Sequence, residues 1–358
     1  MDSKILYAAS TASHLQRFHE PYLRALGEHS RVYRMANGEN VEFSIAFDKH
    51  YFSLSNLRAC LQIRKILKRE KFDLVILNTT LAAFWIRLAM VGLRKRPYVL
   101  NVVHGYLFPK TGGGLRGAIL LFCEKLLRRQ TDDIVVMNQE DLETAKANRL
   151  CRKQVYFSYG MGLPTDRVTP VHSDVRASLG IAEDAFVCTY VGELSKRKNQ
   201  GFLIEAIQRL REEKCPAELL LVGLGTEEES LKQTAAHYGL EDRVHFLGHR
   251  DDIAAILSAT DLYVSASVSE GLPFNLLEAM AAGLPLLASD VRGQWDLLKE
   301  RSQMLYSLND MDAFCKGIWA YYNGGSYGKE SVSYPELNRY LLPSVLEENL
   351  KFFTLGLK

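Results

Sequence analysis

The chain has 358 residues, more than one hydrophobic core usually supports, and its 47% hydrophobic residues suffice for two. That composition excludes a disordered chain, and no run approaches the ~18 apolar residues needed to cross a bilayer; the longest candidate, Leu81 to Leu93, is interrupted by Arg87. The net charge of +2 hides an asymmetry, because residues 1–170 hold 26 Lys+Arg against 15 Asp+Glu and residues 171–358 hold 18 against 27, so the basic half is expected to face something anionic, nucleic acid or membrane phosphate on charge alone.

Met1 leads into strand-like KILYAAS without the charged and apolar regions of a signal peptide. Lys4 to Ser10 reads as a buried strand. The loop after it carries Thr11, Ser13 and His14 but no glycine, so the G-x-G-x-x-G dinucleotide fingerprint is missing. Helical spacing continues through Phe18, Tyr22, Leu23 and Leu26. From Leu57 to Lys71 an apolar stripe of Leu57, Leu61, Ile63, Ile66 and Leu67 predicts a crossover helix before strand FDLVIL. Its six cations are opposed only by Glu70, and Arg94-Lys95-Arg96 and Arg128-Arg129 add to the same half. That outer face reads as either a solvated surface or a membrane-docking one. Arg96 to His104 is a strand ending in His104-Gly105-Tyr106. The segment from Thr111 to Gly114, with Lys110 and Arg116 beside it, reads as a flexible acceptor or membrane loop before helix LRGAILLFCEKLLRR. Strand Asp133 to Met137, a helix over 139–149 and the strand in VYFSYG complete this half, with a boundary expected at 165–180, around Pro170 and Ser173.

The alternation then restarts. Strand Phe186 to Gly192 is followed by polar loop ELSKRKNQ and a helix; strand Leu219 to Gly223 and strand Arg243 to Leu247, ending at Gly248, each precede another helix. Val264 to Ser267 reads as a buried strand, broken by Gly271 and Pro273; Asn275 reads as a helix cap, and Leu276, Leu277, Met280 and Ala281 repeat at helical spacing before Gly283, Pro285 and strand Leu286 to Ser289. Pro335 to Phe353 reads as helical. Strands alternating with helices imply parallel sheets covered on both faces, with ligands beyond the strands' carboxyl ends. Six scattered cysteines (60, 123, 151, 188, 215 and 315), with no C-x-x-C, argue for reduced thiols in a cytoplasmic protein.

Glu270 and Glu278 frame the approach to the Asn275 helix. Free N–H groups at a helix start attract a diphosphate while carboxylates accept hydroxyl protons. Asn275-x-x-Glu278 also fits a capping box, in which Glu278 closes its own helix. The string SEGLPFNLLEAMAAGLPLLASDVRG resembles the signature of family 4 glycosyltransferases, retaining enzymes that use nucleotide sugars, with weaker likeness over 186–202 and 98–106. The bacterial capsule and exopolysaccharide branch resembles it most.

The resemblance implies an α/β chain with two facing Rossmann-like domains (GT-B) and a cleft between their parallel sheets. Residues 1–170 would form the acceptor and membrane-facing domain, 171–340 the nucleotide-sugar domain, and 341–358 a helix packing back toward the first. It further implies that Glu270 contacts the donor sugar, Glu278 the ribose hydroxyls, and Lys198 the diphosphate. His104 would lie close to the sugar, with Ser13 and His14 on a loop facing the cleft or merely capping a helix. Gly192 and Lys198-Asn199 match the family's phosphate loop, but Glu193 stands where arginine is usual; Lys196 or Arg197 is the candidate replacement. Gly271, Leu272, Pro273, Phe274 and Asn275 would line the donor, and backbone groups near Gly248, His249 and Arg250 would read the base. Arg292 matches a family position without an assigned role.

No metal or other cofactor is expected. Asp310-Met311-Asp312 is formally a D-x-D, yet it precedes a helix that its acidic residues suit, and no histidine pair has metal-ligand spacing. The resemblance implies transfer of a hexose or N-acetylhexosamine, with UDP-GlcNAc as first choice, to a lipid-diphosphate-linked saccharide. The leaving phosphate would assist front-face displacement. The expected setting is the inner membrane face, reached through the basic half, with self-association left open and no nucleic-acid partner. Glu193 keeps a second class open: a non-catalytic homologue that stabilises a partner glycosyltransferase. A nucleic-acid-binding module lacks a recognition motif, and the signature favours transfer over a UDP-sugar epimerase.

Overall fold

The computed structural model describes residues 3–357 apart from 49, 52, 109–113, 165–170, 172, 183 and 325–330. Expectations resting on Lys110, Thr111 to Gly113 and Pro170 therefore lie outside the described residues. The chain divides into two compact units, Met1–Gly162 with Leu342–Lys358, and Leu163–Leu341.

In the first unit, strands β1 (Ser3–Thr11), β2 (Ser30–Asn37), β3 (Phe43–Ser44), β4 (Leu74–Asn78), β5 (Tyr98–Val103), β6 (Asp133–Val136) and β7 (Val155–Phe157) form one sheet in the order β3-β2-β1-β4-β5-β6-β7. All neighbouring pairs are parallel. Every residue of β4 and β6 is buried, the continuous pattern of a sheet covered on both faces. Helices α1 (Ala12–Phe18), α2 (Glu20–Gly27), α3 (Leu54–Glu70), α4 (Thr80–Met90), α5 (Gly114–Leu127) and α6 (Gln139–Ala147) connect the strands.

Two sequence expectations change here, and two features appear that the sequence did not signal. The helix after β1 is two helices, broken at His19, whose φ of −120° and ψ of −4° are not helical. The buried stripe of α3 is Asn56, Ala59, Cys60, Ile63, Ile66 and Leu67, an i, i+3, i+4 ladder begun by the Ser53 cap. Leu57 and Leu61 fall off that ladder and are exposed. β2 went unread because SRVYRMAN is mostly half-buried and lacks a continuous apolar run. Arg87, which breaks the apolar run of α4, is fully buried, with two bonds of 2.6 and 2.8 Å to Glu124 of α5. Among the described residues no helix is long and apolar enough to cross a membrane.

The second unit holds a six-stranded parallel sheet, β8 (Phe186–Val191), β9 (Ala217–Val222), β10 (Val244–Gly248), β11 (Leu262–Ser265), β12 (Leu286–Ser289) and β13 (Leu305–Tyr306), ordered β10-β9-β8-β11-β12-β13. Helices α7 (Val175–Leu179), α8 (Gln200–Glu212), α9 (Glu228–His237), α10 (Ile253–Ser258), α11 (Phe274–Ala281), α12 (Gln294–Leu298) and α13 (Met311–Tyr322) alternate with them. Strand order reverses between β8 and β11, so the carboxyl ends of that pair form the switch point where open α/β sheets bind ligands. Asp310 caps α13 by accepting from the Ala313 amide, which accounts for its D-x-D pattern. Pro335 to Phe353 is not one helix: a 3-10 turn over Pro335–Tyr340 precedes the C-terminal helix Leu342–Phe353, since Pro343 suits a helix's first turn better than its interior.

Candidate functional site

The switch point is built on close backbone packing. At Gly223, φ is +138° and an added Cβ would lie 2.0 Å from the Gly192 carbonyl oxygen, so only glycine lets the ends of β8 and β9 meet there. The loop after Gly192 is held by its own polar groups. Gln200 donates to the Glu193 carbonyl (2.7 Å) and accepts from the Ser195 amide (3.2 Å), and the Lys198 amide donates to the Ser195 carbonyl (2.9 Å). Those bonds aim Lys198 toward the loop that follows β11.

There Glu270 is buried, and its oxygens accept from Lys198 Nζ at 2.5 Å and Arg197 Nη1 at 3.0 Å. Burial pushes the Glu270 carboxyl up, but Lys198 and then Arg197 outweigh it and hold the group below its ordinary range. Burial also lowers Lys198, with Glu270 offsetting part of the effect. We read the pair as ionised, because Glu270 has two cations and Lys198 has a carboxylate in direct contact. Arg197 Nη1 also donates to the Ser269 carbonyl (2.9 Å), while Arg292 donates to Ser269 Oγ (2.9 Å) and the Glu270 carbonyl (3.2 Å). Three cationic side chains thus meet one loop. Lys196 is exposed, so Arg197 is the loop residue whose guanidinium reaches the carboxylate. Glu193 is likewise exposed.

Asn275 is not the cap of α11. The helix begins at Phe274, with Pro273 in the capping position, and Asn275 Nδ2 donates 2.8 Å to the Val191 carbonyl at the end of β8. The proline's extended backbone starts the helix before Asn275, whose amide is taken by the neighbouring strand. Glu278 is therefore the fifth residue of α11, beyond the first turn, and the capping-box reading falls. Its side chain is buried. Pro273 is buried, while Gly271, Leu272, Phe274 and Asn275 remain partly accessible in the same approach. At the end of β10, the Gly248 carbonyl accepts from the Gly223 amide (2.7 Å); Arg250 pairs with Asp252 and His249 with Asp251, so both side chains engage their own loop. Spacing offered no hint of Gln294, which ties Ser265 of β11 to Ser289 of β12.

His104 belongs to the first unit. It meets His14 of α1, with ring centroids 5.2 Å apart, and His19, at 5.5 Å. His19 was missed by sequence reasoning and is fully buried, with Nδ1 2.9 Å from the Tyr7 hydroxyl. Burial lowers His14 to about 4 and His104 to about 3, and holds His19 well below its ordinary value, so all three are neutral. Ser13 Oγ lies 3.3 Å from Thr11 Oγ1 on the exposed side of the loop, apart from this cluster.

Both units match known glycosyltransferase families. Residues 172–330 match the model of "Glycosyl transferases group 1", and residues 6–160 that of the "Glycosyl transferase 4-like domain". EpsD of Bacillus subtilis is 31% identical over 337 residues, covering 90% of this chain and 88% of EpsD. An Escherichia coli protein named UDP-Gal:alpha-D-GlcNAc-diphosphoundecaprenol alpha-1,3-galactosyltransferase is 28% identical, covering 74% of this chain and 70% of its own. Among solved structures, Anabaena HepE in complex with UDP and glucose superposes with a TM-score of 0.76 at 20% identity, covering 98% of this chain and 99% of HepE, a likeness of fold. The chain belongs to the group 1 glycosyltransferases, with the two Rossmann-like sheets of the GT-B fold.

Proposed function

We propose that the protein transfers a hexose or N-acetylhexosamine from a UDP-sugar to a lipid-diphosphate-linked saccharide, with retention at the anomeric carbon. One observation carries the donor half: a buried carboxylate, Glu270, held by Lys198 and Arg197 at the β8–β11 switch point. A sugar diphosphate needs an acceptor for its hydroxyls beside cations for its phosphates, and this cluster offers both within a few ångströms. In the step we propose, the acceptor hydroxyl attacks the anomeric carbon on the face the diphosphate leaves. The carbon–oxygen bond to the β-phosphate breaks, and that phosphate's oxygen takes the hydroxyl proton. Lys198 and Arg197 stabilise the growing phosphate charge, Glu270 orients the sugar, and Glu278 holds the ribose. This donor chemistry needs no metal.

The acceptor half is supported by the name of the Escherichia coli relative, whose acceptor is a diphosphoundecaprenol-linked sugar. It is also supported by the excess of cations in residues 1–170. We place the protein on the inner face of the cell membrane. UDP-GlcNAc is the first donor to try and UDP-galactose the second. Against the reading as a non-catalytic partner, Arg197 supplies the guanidinium that residue 193 lacks.

The test is thermal stabilisation across UDP-, GDP- and ADP-sugars, with Glu278→Ala alongside. We expect UDP and one UDP-sugar to raise the melting temperature by several degrees, and the variant to lose that shift. A folded protein that no nucleotide sugar stabilises would sink the proposal and turn attention to a protein partner.

A further inference from the structure

One ring nitrogen from each of His14, His19 and His104 lies within 4.8 Å of one from each of the others. The sequence conceals this, since the three residues come from α1, the break before α2 and the loop after β5. The Nε2 atom of each ring is buried with no hydrogen-bond partner. A single buried, unpaired nitrogen costs on the order of 1–3 kcal/mol, so three in one cluster favour a ligand shared among them. Ring stacking does not relieve them, because edge and tilted contacts between centroids 5.0 to 5.5 Å apart leave the nitrogen lone pairs unused.

We infer that His14, His19 and His104 form a binding site for a divalent transition-metal ion of the zinc class. Three imidazoles suit zinc, cobalt or nickel, whereas magnesium and calcium want oxygen ligands that this cluster lacks. Zinc–nitrogen bonds of about 2.1 Å put tetrahedral ligand atoms roughly 3.4 Å apart, so nitrogens within 4.8 Å of one another need to draw in by at most about 1.4 Å. Tyr7, fully buried, fixes the His19 ring through Nδ1, the outer support that metal-binding imidazoles commonly have. Three protein ligands leave one position open for an oxygen from water or a ligand.

The inference does not rest on the proposed transfer reaction, and its test uses neither nucleotide sugar nor acceptor. Full-length protein without a histidine tag is stripped with a chelator, then titrated with Zn²⁺ by calorimetry and with Co²⁺ by visible absorption. We expect one equivalent to bind, a tetrahedral cobalt band, and a melting temperature that rises with Zn²⁺. His14→Gln and His104→Gln, whose folding is checked by circular dichroism, should each weaken binding at least about 100-fold, and Tyr7→Phe by about 10- to 100-fold. Binding unchanged in both glutamine variants, or no more than weak surface binding in the wild-type protein, would overturn the site.

Discussion

The residue that decides most in the second unit is Lys198. It is buried, and its ammonium is held by the Glu270 carboxylate, so its charge is available to a phosphate at little cost in solvent reorganisation. Lys198→Met should lower kcat about 10²- to 10³-fold, the usual effect of removing one preorganised donor. Glu270 keeps Arg197 in that variant, which limits the loss of stability below the ~3–5 kcal/mol of a fully orphaned buried charge. Steady-state transfer assays with melting curves check both parts, and an unaltered kcat would remove Lys198 from the chemistry. Glu270 and Lys198 were legible because a signature string and a polar loop carried them. Asn275 was misread because a capping side chain and one bonded to a neighbouring strand look alike in sequence. His19 was illegible for a different reason: it sits at the break between α1 and α2, where helical spacing no longer tells which way a side chain faces.

At the scale of the element, α5 shows what periodicity leaves undecided. GLRGAILLFCEKLL is apolar on more than one side, and the structure buries Gly117, Glu124 and Leu127. Glu124 is drawn in by Arg87, so that an ion pair rather than a leucine stripe fixes how the helix lies on α4. The apolar side left outward holds Leu115 (79% exposed), Ile119, Phe122 (64%) and Leu126, with Arg116, Lys125, Arg128 and Arg129 also exposed nearby in the chain. An exposed apolar row flanked by cations is what an anionic bilayer surface binds. The double variant Leu115→Glu, Phe122→Glu should cut co-sedimentation with phosphatidylglycerol vesicles about tenfold or more, since burying each side chain contributes roughly 1.5–3 kcal/mol. Its melting temperature should stay within a degree or two, because neither side chain packs in the core. Unchanged vesicle binding would remove this face of α5 from membrane contact.

At the scale of the whole molecule, the alternation of strands and helices made two α/β units legible, but the route of the chain's end is set by tertiary contacts. The chain leaves the first unit at Gly162 and returns to it at Leu342. Asn349 of the C-terminal helix accepts from Ser158 Oγ (2.6 Å) and donates to the Gly160 carbonyl (2.8 Å) and the Tyr22 hydroxyl (3.0 Å), tying together three buried groups of the first unit. Phe353 is fully buried against Tyr7 and Tyr22. Residues 342–357 therefore complete the first unit's core, and stability there depends on a segment far from it in sequence. Phe353→Ala should destabilise the first unit by about 3–5 kcal/mol, the range for emptying a buried aromatic site. A chain ending at Leu341 should lose protease resistance across residues 3–162 while 171–341 stays resistant, because the second unit's sheet takes all its strands from its own segment. Limited proteolysis read by mass spectrometry separates the two halves. Equal resistance of both units in the truncated chain would show that the C-terminal helix is an ornament on a core already closed.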